Sequence, residues 1–341
     1  MDSDVRAVTP PGLRGVLFMA LPSLLALGLI GAGVAWYLAR PSAEERGRSL
    51  NREAWEASYR ERAHTVPPQG PREGYWGARM APKSKDPVLG WRDSAADVPG
   101  LLVIRENGTQ ELPCDGCETL LVSGGSVGFG AYASTIAKTW FGRLQAHQAE
   151  ANEPVRVVVF AAGAWKSDQE RYAIARALPH ESPARVLMLT GLNDLTNGYR
   201  ADLGYFDTVD SEGEPVPAGH SQDWDARVAF FVENVQATAE LASQSGAEFS
   251  VVLQPALFEK SPLSAIEQDL LELSVAPFGG AAGIKTAYQR MADALTAAGL
   301  SPIDCRRPFD GEAATTFADV WHFGDRGHEL LAGCVHRGLR E

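Results

Sequence analysis

Hydrophobic and polar positions divide this 341-residue chain into stretches of different character. Residues 15–39 run without a charge. As a helix rising about 1.5 Å per residue they reach about 37 Å, more than the ~30 Å hydrocarbon core of a bilayer. Trp36 and Tyr37 close the far end as interfacial aromatics. The run exceeds the apolar region of about 7–15 residues found in a cleaved signal peptide. The pattern therefore predicts a leader over 1–14 and a single transmembrane helix over 15–39. Arg6 and Arg14 precede the span, while Arg40, Arg46, Arg48 and Arg52 follow it. By the positive-inside count alone the following domain would be cytoplasmic, although large domains are translocated largely regardless of such charges.

Residues 42–63 carry charges throughout with few apolar positions, the pattern of a solvated helix with no core of its own. Pro67, Pro68, Gly70, Pro71 and Gly74 follow as a linker. Residues 40–85 thus read as juxtamembrane helix and linker, and 86–341 as one domain. Inside that domain apolar runs alternate with helical stretches. Strands are predicted at Leu120–Val122, Val155–Phe160, Arg185–Thr190, Phe249–Leu253 and Ile303. Helices are predicted from the composition of Tyr132–Gln145 and at Gln169–Leu178, Ala226–Ser243, Ser264–Ser274, Ile284–Ala298 and Glu329–Leu339. This is the signature of an α/β domain with a mostly parallel sheet covered on both faces. Leu101–Arg105 and Gln110–Leu112 flank Asn107-Gly108, which predicts a two-residue hairpin turn.

Composition narrows the partners. A hydrophobic content of 45% supports a large core, and a net charge of −12 argues against nucleic acid, whose phosphates need clustered Lys and Arg.

The candidate chemistry lies just beyond the predicted strands. Thr119–Gly130 reads as a buried strand running into a glycine-rich turn that presents one hydroxyl, Ser126. Gly163 follows the second strand and Asn193-Asp194 the third. Near the C-terminus stands Asp319-Val320-Trp321-His322. A serine nucleophile needs a base for its proton, an acid to orient that base, and donors for the developing oxyanion. Taken singly, each residue has an ordinary structural use: turn serine, turn glycine, Asn or Asp helix cap, surface or core histidine. The ordered set is what points to catalysis. Gly124-x-Ser126-x-Gly128 also fits the α/β-hydrolase nucleophile elbow. That fold places strands and an oxyanion loop well before its elbow, and its acid and histidine follow different strands. The glycine spacing is not that of a dinucleotide-binding loop.

At these stations the chain resembles the SGNH (GDSL-type) hydrolase family over roughly residue 101 to the C-terminus. The family's Ser, Gly, Asn and Asp-x-x-His blocks correspond, in order, to Ser126, Gly163, Asn193 and Asp319/His322. Gly124-Gly125-Ser126-Val127-Gly128-Phe129-Gly130, Val252–Pro255 and Leu89-Gly90-Trp91 are similar to its membrane-anchored bacterial branch. The resemblance implies a three-layer α/β/α flavodoxin-like fold, with Ser126 as nucleophile, His322 as base and Asp319 as orienting acid. It implies an oxyanion hole from the amides of Ser126 and Gly163 and the side chain of Asn193. One residue departs: the family's usual Gly-Asp-Ser is Gly124-Gly125-Ser126 here. A second Asp-x-x-His, Asp325/His328, falls where the family starts its last helix, so His328 is expected to head that helix and to pack or cap.

The resemblance implies a serine esterase or deacetylase acting through an acyl-enzyme on a small-molecule, glycan or lipid ester, with the membrane engaged through residues 15–39. Two alternatives stand beside it: acyl transfer to a sugar hydroxyl by the same residues, and a catalytically silent scaffold, supported only by the missing Asp at 125. No cofactor is called for. No metal is implied either, since Cys114-x-x-Cys117 has no second half to complete a zinc site. That pair admits a tight disulfide, half of a metal site or a redox pair. A bridge from Cys305 to Cys334 would pin the catalytic loop, and four cysteines in an exported domain suit two disulfides. Together with the family reading this predicts an extracytoplasmic domain. Residues 199–225 mix aromatics, acids, Gly and Pro and are too long for a plain connection, so they are a candidate lid over the serine.

Overall fold

The computed structural model describes residues 83–86, 89–93, 96–98, 102–105, 108–196, 208–209, 215–216, 224–275 and 279–341, together with Leu50 and Glu53. The predicted leader, transmembrane helix and most of the juxtamembrane helix and linker lie outside the described residues. Among the described residues no helix is long and apolar enough to cross a membrane.

Five strands form the parallel heart of the domain: β6 (Glu118–Gly124), β7 (Val155–Ala161), β8 (Arg185–Thr190), β11 (Glu248–Leu253) and β12 (Ile303–Asp304). They lie in the order β7-β6-β8-β11-β12, every neighbouring pair parallel. In chain order that is 2-1-3-4-5, the flavodoxin-like doubly wound arrangement, whose ligand crevice opens where the winding reverses. Here the reversal falls at β6. Both faces of these strands are covered, so they read as near-continuous apolar runs such as Leu120-Leu121-Val122 and Val157-Val158-Val159, all buried.

The helices follow from the winding. Crossovers between parallel strands are right-handed as a rule, so a reversal of winding at β6 is expected to send the helices to opposite faces. α1 (Trp140–Glu150) and the last helix, α7 (Asp325–Gly338), pack together on one side. On the other, α2 (Ser167–Glu181) packs against α4 (Trp224–Gln244), which packs against α6 (Gly280–Ala297). Two short helices complete the set, α3 (Leu192–Thr196) after β8 and α5 (Ala265–Ser274) before α6.

The sheet also continues past β7 in a way the pattern does not predict. β5 (Gln110–Leu112), β4 (Leu102–Ile104) and β3 (Ala96–Val98) extend it antiparallel, and β1 (Lys83–Asp86) pairs with β2 (Gly90–Asp93) as a separate ribbon. The β4–β5 turn differs from the predicted two-residue form. Gly108 N–H donates to the Arg105 carbonyl and Arg105 N–H to the Thr109 carbonyl, with Gly108 at φ 89°. The turn thus closes one residue earlier and is followed by a glycine bulge. Within 199–225, β9 (Thr208–Val209) and β10 (Pro215–Val216) pair antiparallel, and most of that segment lies outside the described residues.

Two helix starts move. The helix expected from Tyr132 begins only at Trp140, where Thr139 accepts from Gly142 N–H as N-cap. Tyr132 takes φ 69°, which no helix admits. The last helix begins at Asp325, a turn earlier than expected, so His328 lies within its first turn and does not head it. Cys114–Cys117 and Cys305–Cys334 are both disulfide-bonded, and the second joins the residue after β12 to α7.

Candidate active site

The turn after β6 has a mechanical origin. Gly124 and Gly128 lie backbone against backbone, so that a Cβ on Gly128 would stand 2.6 Å from the Cα of Gly124. Only glycines allow that approach. The turn is then closed by Phe129 N–H to the Gly125 carbonyl (3.0 Å), Gly130 N–H to Val127 (2.9 Å) and Ala131 N–H to Ser126 (3.0 Å). The Trp140 indole N–H adds a bond to the Val127 carbonyl at 2.9 Å. From Leu121 to Ala131 every residue is buried except Ser126. The fold exposes one side chain of this stretch, and it is the hydroxyl.

Ser126 and His322, 196 positions apart in sequence, meet with Oγ and Nε2 at 2.7 Å. The other ring nitrogen, Nδ1, lies 2.9 and 2.8 Å from the two carboxylate oxygens of Asp319. Asp319 also accepts the backbone N–H groups of Trp321 and His322, each at 2.8 Å. Burial on its own would raise the Asp319 pKa. The His322 ring, as charge and as donor, and the two backbone N–H groups outweigh it, and the carboxyl is held below the ordinary value. An ionised carboxylate only accepts, so Nδ1 carries a proton, and in the neutral ring Nε2 is then the acceptor that faces Ser126. The hydroxyl therefore donates to the imidazole.

The loop carrying these two residues is not part of the sheet ladder, and a buried ion pair holds it. Lys260 and Glu267 are paired at 2.5 Å with both side chains fully buried. Glu267 accepts from the backbone N–H groups of Thr316 (2.9 Å) and Phe317 (3.2 Å), and Lys260 donates to the Ala314 carbonyl at 2.7 Å. A bridge between Phe317 and Phe323 and the packed rings of Phe309, Phe317 and Phe323 close the loop on itself. The charge-rich pattern of α5 conceals this node, although Ser264-x-x-Glu267 is a legible capping box, present in the fold.

The remaining predicted residues gather at the same sheet edge. Gly163 lies in the turn after β7, beside Ala164 at φ 68°, and Asn193 opens α3 after β8. Both are partly exposed, Asn193 between two buried neighbours and Gly163 beside the equally half-buried Ala164. Asn193 Nδ2 donates to the Trp165 carbonyl at 2.8 Å, spanning the two loops. Gly125 completes this contact, because a Cβ there would overlap the Asn193 amide nitrogen. The glycine that departs from Gly-Asp-Ser thus packs directly against the amide of Asn193.

Asp194 turns inward from Asn193. It accepts the Ser167 hydroxyl at 2.5 Å and the Ser167 N–H at 3.2 Å, capping α2 from outside that helix. Burial dominates here and raises its pKa to about 7, against the opposing effects of Ser167 and Lys166. Glu170, fully within the same cluster, is pushed well above the ordinary range by burial and by the Asp194 charge. Among the described residues no group of three or more His, Cys, Asp or Glu is placed to hold a metal ion.

No protein-family model matches this chain, and no curated protein is similar to it. In solved structures it is similar to TesA, with 19% identity over 65% of this chain and 98% of that one, at a TM-score of 0.42. A GDSL-like lipase from Bacteroides thetaiotaomicron VPI-5482 shares 15% identity over 67% of this chain and 90% of its own, at a TM-score of 0.38. The acetyl xylan esterase AlAXEase shares 13% identity over 65% of this chain and 99% of its own, at a TM-score of 0.38. At TM-scores this low the likeness carries no argument, and function is argued from the side chains themselves.

Proposed function

We propose that this chain is a membrane-anchored serine esterase or deacetylase of the SGNH (GDSL-type) kind, and its chemistry follows from that premise. The observation that carries the reading is the unbroken hydrogen-bonded series from Ser126 through His322 to Asp319. In it Ser126 Oγ lies 2.7 Å from the ring nitrogen that accepts its proton once Asp319 holds the other as Nδ1–H. Ser126 Oγ attacks the ester carbonyl while Nε2 of His322 takes its proton. Asp319 stays ionised and stabilises the imidazolium through Nδ1–H. The oxyanion is received by the amides of Ser126 and Gly163 and by Asn193. One Nδ2 proton of that side chain is spent on the Trp165 carbonyl and the second is assigned to the oxyanion. Collapse of the tetrahedral intermediate expels the alcohol, which leaves with the proton from His322. Water, deprotonated by the same imidazole, then releases the acid and restores Ser126.

The scaffold reading rested on the absent Asp at 125. Against it, Gly125 lies directly against the Asn193 amide, so the position is packed into the site without the aspartate. The substrate class is an ester on a glycan or lipid near the membrane, within reach of a domain tethered through residues 15–39. Two disulfides suit an oxidising compartment, so the domain faces away from the cytoplasm. A maleimide-PEG applied under denaturing, non-reducing conditions should add no mass; four additions would place the domain in a reducing compartment.

The decisive test uses a fluorophosphonate probe on the full-length protein. Wild type should label covalently, Ser126→Ala not at all and His322→Ala only marginally. Labelling that survives in Ser126→Ala would remove the nucleophile and with it this reading.

A further inference from the structure

The second Asp-x-x-His, Asp325/His328, takes no part in the series from Ser126 to Asp319, yet it reaches back to the serine loop twice. His328 is fully buried. Its Nε2 lies 2.8 Å from the Ala131 carbonyl, and the Trp140 N–H donates to its Nδ1 at 3.3 Å, which assigns a neutral ring protonated at Nε2. One turn earlier, Asp325 accepts both the N–H of Ser134 (2.8 Å) and its hydroxyl (2.7 Å). Between these two fixed points stands Tyr132 at φ 69°. A ring-bearing residue in the left-handed region is strained and persists only where its surroundings over-determine it. The ring so placed lies stacked on the His322 imidazole, centroids 5.2 Å apart and planes 25° from parallel.

We propose that Tyr132 is a positioning residue for the base. Through Asp325 and His328, α7 holds residues 131–134 in a strained turn that lays the phenol ring flat on the imidazole of His322. Both carboxylate oxygens of Asp319 lie at nearly equal distance from Nδ1, so Asp319 fixes that end of the ring but leaves tilt about the contact open. The stacked ring removes the tilt and keeps Nε2 on the serine oxygen. Its face also favours the imidazolium that forms when the hydroxyl gives up its proton. A misplacement of about 1 Å at a reacting group costs about a hundredfold, so a restraint of this kind is worth its strain.

The proposal rests on Ser126 and His322 being nucleophile and base, and the test separates the two. The rate of fluorophosphonate labelling is measured against probe concentration for the full-length protein. Tyr132→Leu and Tyr132→Gly should lower the maximal labelling rate on the order of tenfold to a hundredfold while the half-saturating probe concentration stays unchanged. Tyr132→Phe, which restores the ring face, should label within about twofold of wild type. Glycine accepts the left-handed region freely, so Tyr132→Gly should melt no lower than wild type, which separates its loss of rate from unfolding. Asp325→Ala should slow labelling to a similar degree and add nothing in combination with Tyr132→Leu. Wild-type rates in Tyr132→Leu and Tyr132→Gly, a Phe variant as slow as Leu, or multiplying losses in the double variant would overturn the proposal alone. Labelling that survives Ser126→Ala would remove its premise as well.

Discussion

Asp319 and Asp194 each stand beside a residue assigned to the chemistry, one three positions before His322 and the other directly after Asn193. Their surroundings drive them in opposite directions. Asp319 faces an imidazole and two backbone N–H groups, and these outweigh its burial, so it is held ionised. Asp194 has the hydroxyl and N–H of a single residue, Ser167, within a cluster that also contains Glu170 and Asp168, and burial wins, raising it to about 7. The comparison teaches that sequestering a carboxylate does not decide its charge. What decides it is whether donors and opposite charge together outweigh desolvation: His322 and two backbone N–H groups do so at Asp319, whereas Ser167 and Lys166 do not at Asp194. In the first region that charge orients a base; in the second a carboxyl that titrates near neutrality caps a helix and steadies the loops of Asn193 and Gly163.

The sharpest way to break the comparison is Asp319→Asn. The amide has an N–H₂ where His322 needs an acceptor, favouring the wrong tautomer, and the probe-labelling rate should fall about 10³- to 10⁴-fold. A fall below tenfold would mean that His322 is oriented without its carboxylate. Next in size is Glu267→Ala, which leaves Lys260 as an unpaired buried charge under the Asp319 loop. Urea unfolding should show a loss of about 3–5 kcal/mol, and labelling should slow with it. A variant as stable as wild type would show that the ion pair is not what holds the loop.

The smallest effect sharpens the contrast through pH. Asp194 has a folded-state pKa of about 7, above its unfolded value. Between roughly pH 4 and that folded value the native state keeps a proton the unfolded chain has released, so stability falls as pH rises through this window and levels off above it. Asp194→Asn should remove that decline, gaining on wild type from pH 5 to pH 8 by on the order of 1 kcal/mol per pH unit at most. Unfolding curves whose separation is the same at both pH values would assign the proton uptake to another group. Asp319 has the opposite sign: its stabilisation is present above its unfolded pKa and lost on acidification below it.

Much of this was legible from residue order alone. Strands β6, β7, β8 and β11 announce themselves because both their faces are buried, and the residues that follow them fall together as the parallel topology requires. The polar edge was not legible. Lys83–Asp86 and Gly90–Asp93 carry no apolar alternation, since a short ribbon has little to bury. Tyr132 was read as helix because its composition is helical; tertiary bonds from Asp325 and His328 override that preference. Nothing in the helical pattern of Ser264–Ser274 marks Glu267 as a buried charge. Its burial depends on Lys260 and on a loop some fifty residues away, which no local pattern records. Asn193 is assigned from sequence to the oxyanion hole, with a cap as the ordinary structural use of the Asn193-Asp194 pair; Asp194 is a cap, though for α2 and not for its own helix.

The Gly125 contact ties the nucleophile turn to the loop after β8. A side chain placed at 125 would overlap the Asn193 amide nitrogen unless that amide swings aside. A substitution next to the serine would then be felt first at the donor assigned to the oxyanion, and only through it at the serine.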